Sequence, residues 1–160
     1  MLNVFNGPPV SFNRDGGPSL AYSVRGVTAP VVTSRYSIVE IRSQGRPFYV
    51  TQVLCEGLEY VHVKKLTATT MTGGGTEQAG SAVNDFGSVA VTGKTYFGSD
   101  AAAPADPDAW IGFQAAGAAS MDRTFACPLF AAANEIISFK VSQLNTALAL
   151  SVFWVELFQE

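Results

Sequence analysis

The single histidine is the first residue whose type could do chemistry, as a metal ligand or as a general base. His62 lies between Val61 and Val63 in a strand-like segment, with no Cys, Asp or second His at the spacing of a zinc site. An isolated neutral imidazole commonly makes one structural hydrogen bond. The sequence therefore predicts a structural or surface role for His62, in a strand that shows no sign of reaching a cleft.

Two loops have compositions that suggest ligands. Asp100, Asp106 and Asp108 surround an Ala- and Pro-containing loop, but the ordered Asp, Asn and Gly spacing and the closing Glu of a calcium loop are absent. The run Gly73-Gly74-Gly75 is not followed by the Gly-Lys-Ser or Gly-Lys-Thr of a phosphate-binding loop. We therefore expect no metal and no cofactor.

Hydrolytic chemistry would need a nucleophile with a base, or a pair of carboxylates. The chain has no Gly-x-Ser-x-Gly elbow for a nucleophilic serine. Pairing of carboxylates as in a glycosidase depends on the fold, and the candidates are Glu40, Glu56, Glu59 and Glu135. The sequence favours a protein that is not an enzyme, and a hydrolase with an unrecognised site remains an alternative.

Trp110 and Phe113 form an aromatic pair at the start of a predicted strand. An aromatic ring in such a place can stack on a sugar, which keeps a carbohydrate-binding role open. Aromatic residues at strand starts more often pack in a core or an interface. We therefore predict that Trp110 and Phe113 are outer anchors of a protein interface.

Composition favours an assembly. Hydrophobic residues make up 48% of the chain and charged residues 14%, against about 25% charged in an average domain. A surface so poor in charge is favourable when another molecule covers it. The net charge of −3 and the scattered Lys and Arg argue against nucleic-acid binding. We also expect no signal peptide and no membrane span, because residues 1–10 lack a basic start and no apolar run reaches about 20 residues.

The two cysteines, Cys55 and Cys127, lie in apolar strand-like segments. In a reducing compartment such residues pack as small hydrophobes, so we predict buried thiols. A disulfide between them remains open.

Residues 1–33 are predicted to form an extended N-terminal arm. Pro and Gly recur in Asn6–Pro9 and Arg14–Pro18, which argues against a helix or a long paired strand. The arm is nevertheless apolar enough to lie on another surface. The predicted contact residues are Leu2, Val4, Phe5, Val10, Phe12 and Tyr22.

Residues 34–160 alternate as short strands separated by turns, with no amphipathic helix. This pattern predicts an all-β, antiparallel two-sheet sandwich of jelly-roll type. We expect a hairpin over 48–65, a second hairpin turn at Leu144–Asn145, and a long mobile loop over 67–85. The last strand, 146–158, is apolar on both faces, so we predict a central strand with one face in the core and the other against a subunit or the arm.

Three segments carry a resemblance to a known family. Arg123–Val141 followed by Asn145–Leu157 resembles the closing hairpin of small β-sandwich virion proteins of tailed bacteriophages, and Arg46–Val53 resembles their early core strand. The resemblance implies a capsid decoration or cement protein, or a minor head or tail component, with no catalytic residues. It also implies an oligomer, often a trimer, that binds the major capsid protein on the virion surface with arms reaching across neighbours.

The sequence thus predicts a capsid cement protein that is made in the host cytoplasm and stabilises contacts between capsomers. The alternative is a carbohydrate- or receptor-binding module of a phage tail, which the aromatic pair at Trp110 and Phe113 keeps open.

Overall fold

The computed structural model describes residues 19–56, 60–78, 91–105, 111–114 and 121–158. These residues form ten strands and one short 3-10 turn over Thr72–Gly74. The strands are β1 (Ser19–Ala29), β2 (Tyr36–Arg42), β3 (Phe48–Glu56), β4 (Tyr60–Leu66), β5 (Thr76–Glu77), β6 (Lys94–Asp100), β7 (Ile111–Gln114), β8 (Met121–Ala131), β9 (Ile136–Val141) and β10 (Leu148–Phe158). None of the helical structure in the described part of the chain is long and apolar enough to cross a membrane.

The strands form two antiparallel sheets. One has four strands in the order β1-β10-β3-β8, and the other has six in the order β5-β6-β2-β9-β4-β7. The predicted all-β, antiparallel sandwich is confirmed. Strand β10 lies between β1 and β3, as predicted for a central strand.

The core lies between the two sheets and follows from the alternation of side chains along each strand. In β10 the residues that face the core are Leu148, Leu150, Val152 and Trp154. The opposite sheet contributes side chains such as Phe139, which is fully buried. Each of these large side chains contributes about 1.5–3 kcal/mol to folding through burial.

A β-bulge at Thr51 keeps strand β3 in phase with the core. Val50 and Val53 are three positions apart, so in a regular strand they would point to opposite faces. The pairing with β10 shifts by one residue between Gln52 and Val50, which leaves Thr51 as the extra residue. Both valines are therefore buried in the core.

The N-terminal boundary of the sandwich differs from the prediction. Ser19–Ala29 forms an eleven-residue strand that pairs along its whole length with β10. The expectation that no long paired strand runs through residues 1–33 is therefore wrong for this part. The Pro and Gly signals end at Pro18, and the residues that follow are compatible with a strand.

Both predicted hairpins are wrong. Strands β3 and β4 belong to different sheets, and so do β9 and β10. The core-facing residues of β3 and β4, such as Val53 and Val61, belong to opposite sheets of the same core instead of lying side by side. Alternation shows which residues face the core, but it is the same for two strands in one sheet and for two strands stacked face to face.

Cys55 is buried in the core, as predicted. Cys127 belongs to β8, and its side chain lies outside the described part of the structure. The register of β3 and β8 places Met121 opposite Cys55, so the two cysteines are not cross-strand neighbours.

Candidate functional site

A cleft of about 180 Å³ lies on the outer face of the six-stranded sheet. Strands β4 and β9 form its floor, and its rim comes from the loop after β4 and the segment after β6. The lining residues are His62, Lys64, Leu66, Thr70, Asp100, Ala102, Ala103, Pro104, Ala105, Ser138 and Lys140.

The floor consists of two cross-strand pairs. In the register of β4 and β9, His62 lies opposite Lys140 and Lys64 lies opposite Ser138. Because Val61 and its neighbours of like parity face the core, these residues point away from it. His62 is 7% exposed. The expectation that the histidine does not reach a cleft is therefore wrong, since a strand pattern cannot show which loops fold over its outer face.

A partly buried ion pair joins one side of the cleft to its floor. Lys140 Nζ lies 2.7 Å from Asp100 Oδ2, and the backbone N–H of Ala102 donates to Asp100 Oδ1 at 3.1 Å. Burial alone would raise the pKa of Asp100, but these hydrogen bonds outweigh it and hold the pKa below its usual value. Asp100 is therefore ionised at neutral pH.

The loop after β4 is held against the sheet by Arg42. Its guanidinium contacts Glu40 Oε2 at 2.8 Å, donates to Gly74 O at 2.6 Å and to Thr69 Oγ1 at 3.1 Å, and stacks on the ring of Tyr96 at 3.8 Å. The expectation of a mobile loop over 67–85 is wrong for residues 67–78, which are ordered against the sheet. The sequence feature that could have indicated an ordered loop is the pair of charged residues Glu40 and Arg42 on the outer face of strand β2.

Glu40 is fully buried beneath this loop. It accepts hydrogen bonds from Arg42 Nε at 2.9 Å and from Thr69 Oγ1 at 3.0 Å. Burial raises the pKa of Glu40, and the contacts with Arg42 and Thr69 offset part of that rise. Glu40 thus fixes the loop that carries Thr70, one of the residues that line the cleft.

The glycine run that resembled a phosphate-binding loop serves this turn. Gly73, Gly74 and Gly75 all have positive φ, at 68°, 80° and 77°, a backbone region that favours glycine. At Gly75 a Cβ would also overlap Met71 Sδ and lie 3.0 Å from Phe97 O. The glycines therefore allow close packing of the loop on β6.

A second buried carboxylate, Glu156, holds the segment that leads into β6. It accepts hydrogen bonds from Thr92 N at 2.9 Å, from Thr92 Oγ1 at 3.1 Å, from Gly93 N and from Trp154 Nε1 at 3.3 Å. Glu156 is 1% exposed, and Arg46 lies 3.7 Å away. This arrangement stabilises the start of the strand that ends in Asp100.

The outer face of the four-stranded sheet has a different character. The residues between the core positions of its strands point outward. The register also gives outward positions to Glu56, at the end of β3, and to Asp122, on β8. The outward residues whose side chains the structure describes carry no charge. They are Val24, Gly26, Thr28, Tyr49, Gln52, Leu54, Phe130, Ala149, Ser151, Phe153, Val155 and Leu157. We call this set the apolar face.

The apolar face is continuous across the strands. Tyr49 and Phe130 are cross-strand neighbours whose ring centroids lie 5.0 Å apart, and Phe130 is 40% exposed. Val155 lies opposite Tyr49 on the next strand. The apolar outer side of strand β10 was predicted from the sequence of that strand. The extent of the apolar face across the sheet depends on which strands flank β10.

The sequence-predicted contact residues fall in different places. Leu2, Val4, Phe5, Val10, Phe12 and Trp110 lie outside the described residues. Tyr22 belongs to β1, in register with Val155, so it is part of the sandwich and not of a separate arm. Phe113 belongs to β7, at the edge of the other sheet, so the structure does not bring Tyr22 and Phe113 together in one sheet.

Among the described residues, no group of three or more His, Cys, Asp or Glu side chains is placed to hold a metal ion. Glu135 accepts a hydrogen bond from Ala132 N at 2.7 Å and pairs with Lys65 at 3.2 Å. The Ala132 hydrogen bond is the main reason that the pKa of Glu135 is lowered. Glu40 and Glu135 each have structural partners of their own.

Comparison with known proteins identifies no relative. No family model matches the chain, and neither the curated proteins nor the solved structures include a significant match.

Proposed function

We propose that this protein is a structural component of a bacteriophage virion, a capsid cement protein that forms a homo-oligomer through the apolar face and binds the capsid shell through its N-terminal segment. The observation that carries the proposal is the contrast between the two outer faces. The six-stranded sheet has charged residues and loops on its outer face, whereas the described side chains of the apolar face carry no charge.

The four-stranded sheet as a whole is large enough to hold an interface of standard size. Its longest strands have eleven residues, which at ~3.3 Å per residue and ~4.8 Å between strands gives a rectangle of about 36 by 19 Å. This is roughly 700 Å² on one subunit, close to the ~800 Å² per partner that specific interfaces bury. Aromatic residues such as Phe130 and Tyr49 are typical anchors of such interfaces.

The order of the strands supports the proposal. Consecutive strands β1, β2, β3 and β4 alternate between the sheets, and β7 to β10 do the same. This alternation is the one expected of a jelly roll and supports that part of the proposal, with β5 and β6 added at one edge of the larger sheet. Jelly rolls are common in viral shells, although a fold alone does not define a function.

Removal of residues 1–18 tests the capsid-binding part of the proposal. The deletion ends before Ser19, so strand β1 is kept intact. We expect the shortened chain to fold and to form the same oligomer, but to be lost from capsids that are supplied with it in place of the full chain. Equal occupancy of the two chains, measured by co-sedimentation with capsids that lack the protein, would contradict the proposal.

A further inference from the structure

Three buried polar atoms at one end of the core lack a hydrogen-bond partner. Ser23 Oγ, Arg25 Nε and Thr95 Oγ1 make no hydrogen bond to any other group in the part of the chain that the structure describes. Ser23 is 2% exposed and Thr95 is 0% exposed. Burial of a donor without an acceptor destabilises a fold, whereas alanine or valine at the two hydroxyl positions would carry no such cost. The three groups therefore indicate a bound ligand.

The indole ring of Trp154 is the common neighbour of these groups. Ser23 and Arg25 are two positions apart on β1, on the side that Val27 directs into the core. Ser23 is the register partner of Trp154 on β10. The guanidinium carbon of Arg25 lies 5.4 Å from the centre of the indole ring. Two of the three groups thus lie beside this ring.

The third group comes from the opposite sheet, where β6 contacts β1. Thr95 pairs with Ile41, a core residue, so its side chain also faces the core. Gly93 is two positions before Thr95, and a Cβ at Gly93 would lie 3.4 Å from Trp154 Nε1. The segment that carries Thr95 therefore approaches the indole from the other side of the sandwich.

We propose that Ser23, Arg25 and Thr95 bind a small monovalent anion of the halide class, such as chloride, inside the sandwich. Arg25 Nε–H is a donor only, and each hydroxyl can donate, so a single ion that only accepts satisfies all three groups. A water molecule accepts at two positions and brings two protons that need acceptors of their own. The site is internal, so it does not depend on the proposed assembly.

The charges around Arg25 favour a weakly bound monoanion. Burial lowers the pKa of Arg25, and the carboxylates of Glu156 and Glu77 offset only part of this effect. Glu77 is itself paired with Lys94 at 2.9 Å. An anion beside Arg25 supplies the missing compensation, while repulsion by Glu156 limits the affinity and disfavours dianions. We therefore expect binding in the millimolar range.

Trp154 is a direct reporter of occupancy. It is 1% exposed, so bromide in solution is shielded from the ring, whereas bromide bound beside the ring quenches its fluorescence. The chain has two tryptophans, and Trp110→Phe leaves Trp154 as the only indole. This variant is titrated with sodium bromide, with sodium acetate added to keep the ionic strength constant. We expect quenching that saturates, and that chloride reverses by competition.

A matched pair of variants tests the donor set. Thr95→Val keeps the shape of the side chain and removes one donor, so it should weaken bromide binding about tenfold, the value of one hydrogen bond to a charged group. Thr76→Val is the control, because Thr76 is exposed on β5. It should leave the affinity for bromide unchanged.

Thermal melts give a second readout that does not need the Trp110→Phe background. Replacement of acetate by chloride at equal ionic strength should stabilise the unmodified chain more than Thr95→Val, since general salt effects act on both and only the bound ion distinguishes them. Circular dichroism confirms that each variant is folded.

Several results would overturn the proposal. These are quenching that rises linearly without saturation, quenching that chloride does not reverse, equal bromide affinities with and without Thr95→Val, or the same response of both melting temperatures to chloride. A site that holds only water, or nothing, gives the linear result.

Discussion

Replacement of Glu156 by Gln should be among the most destabilising conservative substitutions in this chain. The carboxylate accepts hydrogen bonds from the backbone N–H groups of Thr92 and Gly93 while it is 1% exposed. A glutamine keeps the shape, but its amide nitrogen is a donor and would face one of these donors. The exchange therefore turns an attractive contact into a repulsive one and leaves an N–H group without an acceptor.

The expected loss follows from these contacts. One charge-assisted hydrogen bond contributes about 1.5–3 kcal/mol, and a buried unsatisfied N–H costs about 1–3 kcal/mol. Because the groups are neighbours and the effects overlap, we expect Glu156→Gln to lower the free energy of unfolding by about 3–4 kcal/mol. For a domain of this size that corresponds to a fall in Tm of roughly 10 °C.

Urea denaturation measures the loss, and amide hydrogen exchange locates it. The amides of Thr92 and Gly93 should be protected in the unmodified chain and exchange faster in the variant. Glu77→Gln is the control, because Glu77 is exposed in its pair with Lys94, and its unfolding midpoint should not change. A loss below about 1 kcal/mol for Glu156→Gln, or unchanged exchange at both amides, would show that these hydrogen bonds do not stabilise the fold as described.

Three further predictions concern the loop over the six-stranded sheet. Arg42→Lys removes the guanidinium group that joins the loop to the strand, so the free energy of unfolding measured with urea should fall by about 1–3 kcal/mol. Arg35→Lys, at an exposed contact, should have little effect. Equal effects of the two substitutions would contradict this prediction. Gly75→Ala should lower the melting temperature more than Gly45→Ala does. Both glycines have positive φ, but of these two only Gly75 is placed so that an added Cβ would meet a side chain and a carbonyl. Equal losses of melting temperature would argue against close packing at Gly75. The raised pKa of Glu40 means that the folded state holds the proton at a pH where the unfolded state has lost it, so this group's contribution to stability falls as the pH rises from the usual pKa of a glutamate through the raised one. Melts across this range should show a smaller decline in Glu40→Gln, and an unchanged pH dependence would contradict the assignment.

Local patterns in the sequence were sufficient to predict the class of fold and most of the strands, but not β1, which was assigned to the arm. Apolar runs and alternation gave the positions of β2, β3 and β10. They did not give the core-facing residues of β3, because the bulge at Thr51 shifts the alternation by one residue. The pairing of strands was not predictable in this way. The expected hairpin over 48–65 is wrong because β3 and β4 lie in opposite sheets on either side of one core, an arrangement set by the whole sheet order.

The cleft was harder to predict for a similar reason. His62 and Lys140 are far apart in sequence and become neighbours only through the pairing of β4 with β9. The loop beside them looked mobile because it is rich in Gly and Thr, whereas one arginine on β2 holds it in place. Composition alone indicated that the surface of the protein carries few charged residues. The apolar face is one part of the surface where this is so.

Sedimentation velocity on the purified chain tests the claim that the apolar face of the four-stranded sheet joins protein subunits. We expect a compact oligomer, with a trimer favoured, for the unmodified chain. Phe130→Asp should shift it to monomers, and Leu144→Asp, which adds the same charge at a residue of similar exposure (44% against 40%) away from that face, should leave the oligomer intact. A monomeric unmodified chain, or an oligomer that persists in Phe130→Asp, would contradict the claim.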